Sequence, residues 1–131
     1  MAKADYDLKL NQLHEAGFFR SIEINRGIEK ESLRVNSLGY ISANDHPKSL
    51  GSPLTNPSIT TDFAESLVEL VTPTFTSVDD LYEHLLKLHI FVSRNLDKET
   101  LWPCSMPPKI EDEGSIKLAK YSNTNSGRIK E

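Results

Sequence analysis

The feature that most constrains this chain is the placing of acidic residues at alternate positions among aliphatic ones. The first instance is the segment GIEKESLRV at residues 27–35. Side chains of a strand alternate between faces, so one face would carry two acids and two aliphatic residues: Glu29, Glu31, Leu33 and Val35. Lys30 and Arg34 would take the other face. Carboxylates roughly 7 Å apart repel by about 2 kcal/mol at an effective dielectric of about 20, and a hard divalent cation would relieve that repulsion.

The second instance is the segment TTDFAESLVELVTP at residues 60–73. Its β-branched residues and its terminal proline favour a strand over residues 65–72, one face of which would carry Glu65, Leu67, Glu69 and Val71. A helix is the alternative, with Asp62 and Glu65 as a capping pair. On a strand Asp62 is out of phase with Glu69, so both reach one site only if the chain kinks. Two such stretches favour an anion-rich pocket, whereas the first stretch taken alone also fits an exposed strand with solvated acids.

A helix is predicted near the start of the chain, over residues 5–16. Its apolar residues recur at helical spacing, Asp5 is available as an N-cap, and Gly17 is a typical C-terminal stop. Phe18 and Phe19 follow this helix directly. We expect both rings to dock it on the main body, because large aromatic residues belong to the core far more often than to a ligand site.

The clearest helix begins at Thr76 or Ser77 and extends to about Arg94. Two acids lie in its first turn, where the helix dipole favours anions. Its predicted apolar stripe has five members: Val78, Leu81, Leu85, Leu88 and Val92. His84 and His89 are five residues apart, which is not the spacing of a ligand pair on one helical face, so we interpret them as surface or boundary residues.

The rest of the chain is predicted to be irregular. Gly27 is a candidate for a bend or bulge before the first acids, and residues 44–57, with three prolines, form a loop. Residues 101–108 also hold three prolines, which excludes a regular helix or a central strand. In that segment we expect Trp102 to lie in the core and Cys104 to be a small buried hydrophobe.

Composition narrows the classes of function. The chain has 131 residues, 37% of them hydrophobic and 26% charged, which is typical of one globular domain. A net charge of −4 argues against a nucleic-acid or anionic-membrane partner. The sequence has no apolar run long enough to span a membrane, no signal-peptide pattern at its start, and a single cysteine. We therefore expect a cytoplasmic protein without an internal disulfide.

Several segments also occur in a family-specific order: GIEKESLRVN, HPKSLGSPLT, ITTDFAESLVELVTP, LWPCSMPP and YSNTNSGR. In this order and spacing the chain resembles the N-terminal part of the proteobacterial type of glutamate–cysteine ligase, from about residue 22 to residue 128. That resemblance implies an enzyme that forms γ-glutamylcysteine from glutamate, cysteine and ATP through a γ-glutamyl phosphate, the first step of glutathione synthesis. Family members are several-fold longer, so residues 1–131 would be the opening segment of a larger catalytic domain.

The resemblance also implies roles for individual residues. Glu29, Glu31, Asp62 and Glu69 would be ligands of Mg²⁺ or Mn²⁺, which neutralises charge during phosphoryl transfer. Glu65 has no assigned role and is expected in a salt bridge, and Arg34 is expected to pair with a structural acid. A polar loop follows at residues 121–128, where a substrate carboxylate or phosphate would contact Asn123 and Arg128.

The predicted fold is α+β: an antiparallel sheet with helices on one face, forming part of a catalytic sheet similar to that of glutamine synthetase. Sheet edges and apolar faces left uncovered would favour self-association. The chain ends at Glu131 without a stop signal, so we expect the isolated polypeptide to lack further ligands and to be inactive. The alternative is a non-catalytic scaffold or interaction module that binds no metal.

Overall fold

An antiparallel sheet of four strands organises the computed structural model, which describes residues 3–20 and 22–121. The strands are β1 (Glu29–Val35), β2 (Ile59–Thr60), β3 (Leu67–Val71) and β4 (Thr100–Leu101), in the order β2-β3-β1-β4. The helices are α1 (Lys3–Glu15) and α2 (Val78–Arg94), and single 3₁₀ turns lie at Phe18–Arg20, Lys48–Leu50 and Glu113–Ser115. This architecture confirms the predicted α+β class with an antiparallel sheet.

One face of the sheet carries the core. Alternate residues of β3, Val68 and Leu70, are buried, and Ile59 of β2 lies opposite Leu70 on the same face. Helix α2 covers this face, where its half-buried Leu85 and Leu88 pack against the core. The buried members of the cluster are Leu50, Ile59, Val68, Leu70, Val92 and Leu96. Because strand side chains alternate, Glu69, which lies between Val68 and Leu70, is directed to the opposite face of the sheet.

Helix α2 forms where the sequence predicted it. Ser77 is its N-cap, and the side-chain oxygen of Ser77 accepts a hydrogen bond from the Asp80 backbone N–H at 3.2 Å. Asp79 and Asp80 occupy the first turn and Arg94 the last turn, each at the end of the helix dipole that favours its charge. The predicted apolar stripe was wrong at one position, since Val78 is 60% exposed. No helix in the described part of the chain is long and apolar enough to cross a membrane.

Arg34 of β1 is fully buried on the core face of the sheet. Its Nη1 lies 2.5 Å from a carboxylate oxygen of Glu99, and its Nη2 donates to the backbone carbonyls of Asn44 and Glu65 at 2.8 and 2.9 Å. Glu99 also accepts hydrogen bonds from the side chains of Ser42 and Asn44. The expectation that Arg34 pairs with a structural acid on the opposite face is confirmed.

The start of the chain differs from its prediction. Helix α1 begins at Lys3, so Asp5 lies in its first turn instead of capping it, and the Asp5 carboxylate forms an ion pair with Lys9 at 3.4 Å. Gly17 adopts the left-handed conformation of a helix stop, with φ of 70°. The expectation of docked aromatic rings was wrong, because Phe18 and Phe19 are 49% and 46% exposed and contact each other edge to face.

Gly27 lies close to a bulge in the strand pairing, but the extra residue of the bulge lies in the opposite segment and not in the segment that contains Gly27. Glu29 pairs with Val71, whereas three residues earlier Arg26 pairs with Phe75, four residues after Val71. The inserted residue therefore lies within 72–74, where Pro73 cannot donate a ladder hydrogen bond.

Two further expectations fail in the segment after β4. Cys104 is exposed rather than buried. Trp102 is half-buried, and its indole N–H donates to the Met106 carbonyl at 2.7 Å within the same loop, so it does not anchor the segment in the core.

Candidate functional site

The site begins with two acids that face each other across neighbouring strands. In the β1–β3 ladder Glu31 lies directly opposite Glu69, and Glu29 lies opposite Val71. Opposed residues of an antiparallel pair project from the same face, with Cβ atoms about 4.5–5.5 Å apart. Glu29, Glu31 and Glu69 therefore share the face opposite the core, whereas Lys30 lies on the core side and donates to Ser32 Oγ at 2.7 Å.

This acid-bearing face is open to solvent. Glu29 and Glu31 are exposed and Glu69 is half-buried. Like charges directly opposite each other destabilise a sheet by up to about 1 kcal/mol.

Asp62 lies in a turn between β2 and β3. Strand β3 begins at Leu67 rather than Glu65, and residues 61–66 form a turn. Thr61 Oγ1 donates to the Ala64 carbonyl at 2.8 Å, and the Leu67 N–H donates to the same carbonyl at 2.9 Å. Asp62 therefore lies in a turn before β3, and the prediction that the strand begins at Glu65 was wrong.

Tyr121 packs beneath this turn and was not singled out in the sequence. It is buried, and its phenol group donates to the Thr61 carbonyl at 3.0 Å and lies 3.4 Å from the Asp62 carbonyl. Burial raises the pKa of Tyr121, and the carboxylates of Asp62, Glu69 and Glu65 raise it further, in that order. Three acids from the second acidic stretch therefore lie within electrostatic range of one phenol.

Glu65 is a buried acid whose partners are backbone amides. It is 3% exposed, and its two carboxylate oxygens accept hydrogen bonds from the His46 N–H at 2.8 Å and the Lys120 N–H at 2.6 Å. The salt bridge expected for Glu65 is not what the structure shows. Amide donors to a carboxylate are charge-assisted and offset much of the cost of burying it. No local sequence pattern indicates these partners, because they lie 19 and 55 residues away.

A cavity adjoins Glu31 on the open face. Its volume is about 360 Å³, and its lining includes Glu31, Leu33 and Leu67 from the strands and Trp102, Cys104 and Met106 from the loop after β4. Cavities of this size are within the range that holds small molecules. Glu31 is therefore both opposite Glu69 in the strand ladder and part of the lining of a largely apolar cavity.

The carboxylates of this face are suited to bind Mg²⁺ together with a substrate phosphate. Mg²⁺ prefers carboxylate oxygens, keeps several waters, and is commonly held by one or two carboxylates together with substrate phosphates. Among residues 3–20 and 22–121, no three His, Cys, Asp or Glu side chains come together closely enough to form a metal site by themselves. Glu31 and Glu69 fit the one-or-two-carboxylate arrangement rather than an all-protein cage. Asn123 and Arg128, the predicted substrate contacts, lie outside the described residues.

Known proteins resemble this chain over most of its length. The glutamate-cysteine ligase family model matches residues 10–131. The glutamate–cysteine ligase of Hahella chejuensis is 50% identical over 109 residues, and that of Yersinia pseudotuberculosis 49% over 107 residues, each covering 82% of this chain. The chain spans 21% of the length of each of these relatives.

Two solved structures share the fold. A crystal structure of glutamate–cysteine ligase from Francisella tularensis in complex with AMP superposes with a TM-score of 0.76 at 40% identity, covering 81% of this chain and 21% of that chain. A bifunctional glutathione synthetase from Pasteurella multocida gives a TM-score of 0.76 at 36% identity, covering 82% of this chain and 15% of that one. With the family model matched over residues 10–131, this chain belongs to the glutamate–cysteine ligase family.

Proposed function

We propose that this chain is the N-terminal part of an enzyme that joins L-glutamate to L-cysteine at the expense of ATP. The γ-carboxylate of glutamate is phosphorylated, and the cysteine amine displaces phosphate to give γ-glutamylcysteine, the first step of glutathione synthesis. Family membership supports the ligase class, and the Francisella relative binds AMP. The observation that carries the proposal is the direct cross-strand pairing of Glu31 with Glu69 on the face opposite the core.

In this proposal Glu29, Glu31, Asp62 and Glu69 are ligands of Mg²⁺ or Mn²⁺, with one or two of these carboxylates on each ion together with the nucleotide phosphates. A metal ion bound there would neutralise the negative charge of the nucleotide phosphates during phosphoryl transfer. The strands contribute rigidity, which keeps the carboxylates at fixed separations. Asn123 and Arg128 are proposed contacts for a substrate carboxylate or phosphate, and a cytoplasmic location goes with the use of ATP.

Cation titration tests the proposal on the chain itself. We expect the wild-type chain to bind Mg²⁺ or Mn²⁺ in calorimetry, and the double variant Glu31→Gln/Glu69→Gln to bind at least tenfold more weakly. The matched control is Glu83→Gln/Glu111→Gln, which removes the same charge from two exposed acids, one in α2 and one outside the sheet. Equal affinities for all three proteins would show that the acid face holds no cation and would favour the non-catalytic scaffold.

The isolated chain is proposed to be inactive, because it spans about a fifth of its relatives. We expect the purified chain to release no phosphate when ATP, glutamate and cysteine are supplied together. Substrate-dependent phosphate release that Glu29→Gln abolishes would contradict this expectation.

Self-association of the chain is also proposed. Apolar side chains of α1 and the turn after it are exposed, including Tyr6, Leu8, Phe18 and Phe19. An apolar surface of this kind favours burial against another surface. Sedimentation velocity should show species larger than the 14.8 kDa monomer as concentration rises, and a chain that stays monomeric would refute the proposal.

A further inference from the structure

Three separate segments of the chain meet at the Glu65 carboxylate. One carboxylate oxygen accepts the His46 N–H and the other accepts the Lys120 N–H, at 2.8 and 2.6 Å. The backbone of Glu65 adds two more links: its N–H donates to the Lys117 carbonyl at 2.9 Å, and its carbonyl accepts Arg34 Nη2 at 2.9 Å. The 61–66 turn is therefore attached at one residue to the 44–47 loop, the 117–121 segment and strand β1.

The same attachment continues around Asp62. The Ala119 N–H donates to the Phe63 carbonyl at 3.1 Å, and the Tyr121 hydroxyl donates to the Thr61 carbonyl at 3.0 Å. These bonds lie on both sides of Asp62 in the sequence. Asp62 itself is exposed, so the position of its carboxylate depends on how firmly the turn is held from below.

The geometry points to Glu65 as the positioning residue of this site: it fixes the 61–66 turn, which carries Asp62, to the 117–121 segment and so sets where the Asp62 carboxylate lies. This inference rests on the proposed cation site, but Glu65 is not one of its ligands, because both of its oxygens are occupied by backbone amides in the interior. Residues that orient metal ligands through hydrogen bonds commonly change metal affinity by about 10- to 100-fold when they are replaced.

The variant Glu65→Asp tests positioning without removing charge. Its side chain is one methylene shorter and cannot reach both amides, yet it keeps the negative charge that would attract a cation at long range. We expect Glu65→Asp to weaken Mn²⁺ binding by about tenfold. Glu65→Gln, which keeps one acceptor oxygen, should weaken binding by at least as much, whereas Glu83→Gln on the exposed face of α2 should leave it unchanged.

A double-variant comparison separates positioning from a general structural role. If Glu65 acts through Asp62, then Glu65→Asp should change Mn²⁺ affinity less than about twofold when Asp62→Asn is already present. An equal loss in both backgrounds would overturn the inference, since it would mean that Glu65 acts on the fold as a whole.

Amide hydrogen exchange tests whether Glu65 holds the 61–66 turn in place, even if the chain binds no cation. In Glu65→Asp the amides of His46, Ala119 and Lys120 should exchange faster than in the wild type, while the core amide of Leu70 should be unchanged. Unchanged exchange at Ala119 and Lys120 would refute the inference. Failure of the proposed function has a different signature, namely no cation binding by the wild-type chain whatever the exchange rates.

Discussion

Replacing Glu99 by alanine should destabilise the fold severely, because it leaves the buried guanidinium of Arg34 without its carboxylate partner. The Arg34 side chain is fully buried and the Glu99 side chain is 8% exposed, with 2.5 Å between Nη1 and the nearer carboxylate oxygen. Without Glu99, the guanidinium keeps the Asn44 and Glu65 carbonyls as acceptors but no counter-charge. The side chains of Ser42 and Asn44 lose their acceptor at the same time.

The magnitude follows from the cost of an uncompensated buried charge. Removing one partner of a buried ion pair costs about 3–5 kcal/mol. Domains of this size have unfolding free energies of about 5–15 kcal/mol, so Glu99→Ala would remove a large part of the total. Glu99→Gln keeps an acceptor oxygen but loses the charge, so we expect a smaller loss of about 2 kcal/mol.

Urea unfolding followed by circular dichroism measures these differences. With a denaturant dependence of about 2 kcal/mol per M, Glu99→Ala should lower the midpoint by about 2 M and Glu99→Gln by about 1 M. Glu83→Ala is the control, because the Glu83–Lys87 pair is exposed at both side chains and contributes less than about 1 kcal/mol. A Glu99→Ala midpoint within the error of the control would refute the reasoning that Arg34 needs this counter-charge.

Two further outcomes are expected. Burial and the Arg34 charge lower the pKa of His46 below its ordinary value of 6.5, so the unfolded chain binds the proton more readily than the folded chain. The free energy of unfolding should therefore fall as the pH drops below about 6.5. His46→Gln should show a weaker fall in the urea midpoint between about pH 7.5 and 5.5, and identical pH profiles for the two proteins would contradict this. Ser77→Ala removes the N-cap of α2 and should cost about 1 kcal/mol in urea unfolding, whereas an unchanged midpoint would mean that the capping bond to the Asp80 N–H contributes nothing.

The parts of the fold that follow from local chemistry were predictable. The period-two pattern of 27–35 gave the correct faces for Glu31 and Arg34, since alternation needs no knowledge of distant partners. The Ser77 cap and the acids after it likewise located α2. These features depend on residues within a few positions of each other along the chain.

The parts that depend on distant partners were not predictable. Glu65 looks like a strand residue by pattern, but its carboxylate is satisfied by amides of His46 and Lys120, and the chain turns there to reach them. The exposure of Phe18 and Cys104 was not predictable for the same reason. The hydrophobicity of a side chain indicates a tendency to be buried, but it does not indicate which part of the protein would cover that side chain. The roles of Glu29, Glu31, Asp62 and Glu69 remain predictions until cation binding is measured.

The contrast between the two faces of the central strand pair has a consequence for folding. A slip of one residue between β1 and β3 would turn one strand over, burying Glu31 or Glu69 under α2 and exposing the aliphatic residues that belong there. Ionised acids resist such burial by several kcal/mol each. The proposed metal ligands therefore also penalise any slip by an odd number of residues, so replacing them by neutral residues should make strand pairing less specific as well as the site less acidic.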